Sequence, residues 1–141
     1  MNRDMVLAEW RRALQSLRAA ELLTREECYA DAISRAYYAI LHAAKAALYV
    51  NDVVAESHAA VRRMFGLHLI RSKEIEPEWS AYLVESLDDR LAADYDTEVS
   101  FSRKDARQEC RRTREFLRRI QRYLLENGLT NQDLRKGPRR T

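Results

Sequence analysis

The sequence predicts an all-α protein, an up-and-down antiparallel bundle of four main helices plus one shorter helix. Three observations carry this reading. Only three Gly and two Pro occur in 141 residues, and strong helix formers such as Ala, Leu, Arg and Glu are plentiful. Apolar residues recur at steps of three and four, as one face of a helix requires. No stretch alternates apolar and polar residues between turn signals as a half-buried strand would.

The elements follow in order. Val6, Trp10, Ala13, Leu14, Leu17 and Leu22 form one stripe and define a first helix over 4–24, with Asp4 as its N-cap. "TREECYAD" turns the chain into a second helix over about 29–50, which stops at "VNDVV", where Asn51 and Asp52 offer local backbone bonding. Ser57 or Glu56 opens a third helix to about 71. Pro77 suits the first turn of a fourth, "PEWSAYLVESLDDRLAADY", with Leu83, Val84, Leu87 and Leu91 facing inward. Ser102 and Asp105 read as a capping box opening a long last helix to about 126, closed by "NG". The bundle is thus expected over 1–127, with 128–141 a basic, flexible tail that has little to bury.

Net charge is +3, but it is unevenly spread. From Phe101 onward 13 Lys and Arg face 5 Asp and Glu, whereas the first hundred residues carry 12 against 17. A basic C-terminal segment on an acidic body suggests an anionic partner, or complementarity between protomers. Cys28 and Cys110 lie far apart without metal-site spacing and read as buried thiols in a reducing, cytoplasmic setting. No segment approaches the apolar length of a membrane span.

Three constellations stand out. On the second helix Ile33, Tyr37, Ile40, Ala44 and Leu48 face a core, and Arg35, Tyr38, His42, Lys45 and Tyr49 gather on the opposite side around small Ala39 and Ala46. That side is either a solvated face or one wall of a site. On the fourth helix Arg90 and Asp94 stand four apart, followed by Tyr95. They form either a structural ion pair or part of a cleft, since a buried pair is not stabilising in itself. On the last helix Arg103, Arg107, Arg111, Arg114, Arg118 and Arg122 draw one row beside a packing stripe of Ala106, Cys110, Thr113, Leu117, Ile120 and Leu124. Six like charges repel unless something anionic lies alongside, either phosphate backbone or the acidic body of a second copy.

The blocks "YADAISRAYYAILHAAKAAL", "SHAAVRRMF" and "DDRLAADYD", in this order, resemble the HEPN domain (higher eukaryotes and prokaryotes nucleotide-binding), especially its small stand-alone bacterial and archaeal branch. The resemblance covers about residues 5–126. It implies a helical bundle that usually forms a homodimer, with its signature Arg helix near the dimer cleft. Many members are metal-independent endoribonucleases, and many are paired with a minimal nucleotidyltransferase as toxin and antitoxin. Others only bind nucleotides or proteins.

The ribonuclease signature is an Arg, a polar residue, then a His one to two turns on, often with a nearby Tyr. Here Arg90 matches, Leu91 replaces the polar neighbour, and Asp94 with Tyr95 stands where His and Tyr would be. RNA cleavage without metal needs a base for the 2'-hydroxyl and an acid for the leaving oxygen, which imidazole serves near neutral pH. Aspartate beside an arginine does not. His42 or His58 is therefore the substitute imidazole, with Arg90, Asp94, Tyr95 and His42 as catalytic candidates. Arg35, Tyr38, His58, Arg107, Arg111, Arg114 and Arg118 are the RNA- or nucleotide-binding candidates. No metal, cofactor or membrane is implied.

Overall fold

The computed structural model describes residues 1–136. Helices α1 (Arg3–Arg25), α2 (Tyr29–Val50), α3 (His58–Phe65), α4 (Glu78–Tyr95), α5 (Arg103–Glu126) and α6 (Asn131–Lys136) follow one another, and α3 continues through a π-helical turn, Gly66–Ile70. No strand occurs among the described residues, so the all-α expectation holds.

Local chemistry explains most boundaries. Ser57 accepts from the Ala60 amide at 3.1 Å to start α3. Ser102 and Asp105 cap α5 reciprocally at 3.2 and 2.9 Å. The α5 end is closed by Gly128 at φ +99°, a left-handed conformation that lets Leu129 N–H return to the Leu124 carbonyl at 3.2 Å. At the other end of the chain Asn2, not Asp4, caps α1, accepting from Met5 N–H at 3.2 Å. The helix begins earlier than the apolar stripe implied.

The Ala content of α2 has a packing cause. Ala32, Ala36, Ala39, Ala43, Ala44, Ala46 and Ala47 are all buried, so α2 is enclosed on nearly every side instead of showing one core face. It packs on α1, α4 and α5, and small side chains let these neighbours approach closely. Ala39 and Ala46, read from sequence as spacers on a polar side, are themselves core residues.

Several expectations need correction. Leu14 and Leu22 of α1 and Val84 and Leu91 of α4 are exposed, leaving Leu83 and Ser86 as the buried residues of α4. A period of 3.6 locates a stripe but not the width of the face a neighbour covers. Cys28 is exposed at the α1–α2 corner, whereas Cys110 is buried. The tail reading fails over residues 129–136: Leu129 and Leu134 are buried, and Arg3 bonds Asp133 at 2.6 Å and the Gly128 carbonyl at 3.2 Å. Two apolar side chains anchor the short α6 on α1. Residues 137–141 lie outside the described residues.

α4 packs along α2, and an aromatic cluster ties its first turns to α3 and α5. Phe116 of α5 lies 6.0 Å from Phe65, 6.2 Å from Trp79 and 6.1 Å from Tyr82, ring centre to ring centre. Arg119, buried in α5, clamps the segment before α4 through Glu76 at 2.7 and 3.1 Å and the Glu74 carbonyl at 3.0 Å.

Farther along the α4–α5 seam, burial first and then the adjacent Asp89 raise the Glu109 carboxyl to about 8. Arg112, 3.6 Å away, opposes this but is shared with Glu85. An ordinary glutamate in the unfolded chain releases its proton near pH 4.5, so between there and about 8 the folded state holds a proton that the unfolded state has lost. Stability from this group is therefore complete at low pH and declines as pH rises through that window. Glu109→Gln is expected to flatten the decline and melt above the parent at about pH 9, while differing little at about pH 5. Parallel melting curves for both proteins across this range would contradict the assignment.

Candidate functional site

A polar side-chain cluster, the Arg90 cleft, forms where the middle of α2, the first turn of α3 and the last turns of α4 meet. Arg90 is its centre. Its side chain is only 14% exposed, and its Nη2 donates to the Tyr38 hydroxyl at 2.9 Å. Its Nε lies 2.8 Å from Asp94 Oδ2, an ion pair at short range whose N–H is not aimed along a hydrogen bond. Three phenol rings surround the guanidinium, those of Tyr38, Tyr95 and Tyr37, at 5.4, 5.8 and 5.9 Å from its carbon to their centres. A cation held over aromatic faces is attracted to them without being neutralised. Arg35 adds a second guanidinium 5.0 Å from the Tyr38 ring.

The imidazole of this cleft is His58. Its Nδ1 is hydrogen bonded to the Tyr37 hydroxyl, and its ring lies 5.3 Å from that of Tyr37 and 6.5 Å from that of Tyr38. Ser57 caps α3 and so fixes the turn that carries His58. Burial first, and then the charge of Arg90, lowers the His58 pKa below the ordinary histidine value. The ring is therefore neutral at neutral pH. Tyr37 is raised by burial to about 12 and stays a phenol. Where the ring is the tautomer whose Nδ1–H donates to the Tyr37 oxygen, Nε2 keeps its lone pair and is the nitrogen able to accept a proton.

His42 is elsewhere. Its Nδ1 lies 2.6 Å from Glu9 Oε2 on α1, and Lys45 approaches the other oxygen of the same carboxylate at 3.3 Å. Burial alone would raise Glu9, but the His42 hydrogen bond and the Lys45 charge together hold it below the ordinary range. This is a polar tie between α1 and α2. The sequence placed His42 on the face of Tyr38, but two helices cover that face: α1 takes His42 and Lys45, and α4 takes Tyr38.

Of the residues singled out from sequence, Arg35, Tyr38, His58, Arg90, Asp94 and Tyr95 come together and His42 does not. Tyr37 was read only as core. The available signal was chemical: a tyrosine in place of phenylalanine on a buried stripe carries a hydroxyl that needs a partner.

The arginine row of α5 divides. Arg103 bonds Glu27 at 3.0 Å and the Tyr29 hydroxyl at 3.1 Å. Arg114 stands 3.7 Å from Glu21, and Arg122 is drawn to Glu76 and Glu126. Arg107, Arg111 and Arg118 have no ion pair among the described residues. No helix of the described residues is long and apolar enough to cross a membrane.

Comparison with known proteins agrees with this architecture. The HEPN domain model matches residues 7–123, which include every residue of the cleft. A Methanocaldococcus jannaschii protein named "Putative toxin MJ0142" is 30% identical over 118 residues, 84% of this chain and 80% of that protein. A second from that organism, "Putative toxin MJ0605", is 40% identical over 61% of this chain and 64% of its own length. The Pyrococcus horikoshii "UPF0332 protein PH1297" is 42% identical over 54% of each chain.

Proposed function

Because the chain belongs to the HEPN domain family, we propose that its Arg90 cleft binds RNA or a nucleotide through phosphate and that His58 is the proton-transfer group of a toxin-type ribonuclease. The observation that carries this reading is a neutral imidazole, ordered by Tyr37, beside a guanidinium ringed by phenols. Neutral imidazole can accept the 2'-hydroxyl proton, and Arg90 can stabilise the charge that develops on the phosphate. Tyr38 positions Arg90. Asp94 holds its other edge, a role for which a carboxylate beside an arginine is better suited than proton donation.

One chain brings one imidazole to the cleft. A homodimer would supply a second set of groups, and the exposed Val84, Leu91 and Tyr95 along α4 support α4 as the face where a second copy docks. Toxin-type relatives support a cognate partner, for which a minimal nucleotidyltransferase is our candidate. A second reading, a non-catalytic nucleotide- or protein-binding module, is favoured by Arg90 already being paired with Asp94.

The two histidines separate these readings. His58→Ala is expected to lower RNA cleavage by about 10²- to 10⁴-fold with RNA affinity nearly unchanged. His42→Ala should leave both unchanged and lower stability by about 1 kcal/mol. Because the His58 pKa is lowered, the basic limb of catalysis should persist below the usual histidine range as pH falls. Equal cleavage by the two variants would remove His58 from the chemistry. RNA binding by the parent chain without any cleavage would select the module.

A further inference from the structure

The last turns of α1 and the first three turns of α5 diverge over a narrow floor. Thr24 and Cys110 form it, with Thr24 Oγ1 and Cys110 Sγ 3.7 Å apart above a small cluster of Ala20, Ala36 and Cys110. The groove encloses about 720 Å³. Its walls carry Arg25, Arg103, Lys104, Arg107, Arg111 and Arg114, and Glu21 is the one carboxylate lining it. Glu27 engages Arg103 and Glu21 engages Arg114, so Arg25, Lys104, Arg107 and Arg111 face one another without an ion pair among the described residues. Lys104, Arg107 and Arg111 follow one another about 4.5–6 Å apart along the α5 axis, inside the roughly 8–10 Å Debye length at ordinary salt, and repel unless an anion joins them.

We infer that this groove is a phosphate-backbone track for an RNA strand, a second contact surface separate from the Arg90 cleft. The inference rests on the RNA reading of that cleft and extends it. Residues three or four apart on α5 are about 4.5–6 Å apart along the axis, so Lys104, Arg107 and Arg111 form a ladder suited to successive phosphates of an extended strand. Guanidinium forks match phosphate oxygens in pairs. The small neutral floor lets a backbone approach. No large apolar or aromatic side chain lines the groove. A bound polypeptide would thus lack the buried anchor on which protein interfaces depend, and bases would lack a stacking platform. The track therefore holds RNA without reading its sequence.

The cleft is built from α2, α3 and α4, and the groove from α1 and α5, so the two share no helix. An RNA long enough to reach both is held more tightly than a short one, by effective concentration.

The test uses the full chain and a fluorescein-labelled single-stranded RNA, with Kd measured against salt. Arg107→Glu with Arg111→Glu is expected to weaken binding more than about tenfold and to make the salt dependence shallower by about two phosphate contacts. Both side chains are exposed, and circular dichroism would verify that the fold is retained. Arg107→Gln with Arg111→Gln should shift both readouts in the same direction by less. Unchanged affinity and slope in the charge-reversed variant would overturn the track. So would poly-L-glutamate binding that depends on these arginines while RNA binding does not. Failure of the cleft reading is distinguishable, since Arg90→Ala and His58→Ala would then leave RNA handling intact while the groove variants still lost affinity.

Discussion

Arg90→Ala is expected to lower the action of this protein on RNA by about a hundredfold or more while leaving its fold in place. The functional loss is large because no neighbour can replace the charge. Tyr37, Tyr38 and Tyr95 are neutral hydrogen-bonding rings arranged around a cation, and Arg35, the nearest other guanidinium, lies against the Tyr38 ring. The structural loss is small because Asp94 retains contact with water, its side chain being 26% exposed, so removing its partner does not strand a fully buried charge. Loss of the ring contacts and of the Tyr38 hydrogen bond should cost about 1–2 kcal/mol. Arg90→Lys should restore little, since an ammonium cannot reach Tyr38 and Asp94 at once from one planar group. RNA binding and cleavage, measured beside thermal melting, separate the two effects. Undiminished activity in Arg90→Ala would show that this cleft is not where RNA is handled.

Phe116→Ala is expected to destabilise the chain by about 3–5 kcal/mol, the range for deleting a large buried ring. For a chain of this size that corresponds to a melting temperature lower by roughly 10–20 °C. Phe116 is fully buried and touches the rings of Phe65, Trp79 and Tyr82, so one side chain links α3, α4 and α5. α4 has few other apolar anchors, and it carries Arg90 and Asp94. Amide exchange in the variant should therefore rise first in α4, ahead of α1 and α2, and the cleft should be lost before the bundle. A cost below about 1 kcal/mol, or uniform loss of protection along the chain, would show that α4 is held by something other than this aromatic cluster.

The long helices, the Ser102–Asp105 cap and the burial of the α5 stripe from Ala106 to Leu124 were legible in the sequence, since each depends on residues within a few positions of one another. The Arg90, Asp94 and Tyr95 group was legible on the same grounds. The separation of His42 from His58 is instructive. Both are single imidazoles beside aromatic residues, and helical periodicity put His42 on the face of Tyr38. Side chains on one face can still meet different neighbours when that face is wide enough for two helices to cover it.

By itself the sequence determined the helices and the chemical kinds of group available, because periodicity, capping and charge spacing act through local geometry. Tertiary structure decided which of those groups meet. The direction in which α1 and α4 cross α2 assigned His42 to Glu9 and brought His58 and Tyr37 to Arg90. It also anchored α6 through Leu134 and turned four of the six arginines of the row into one wall of a groove. Those outcomes depend on packing between residues dozens of positions apart. No local spacing encodes them, because the free energy that selects them comes from surfaces buried between helices.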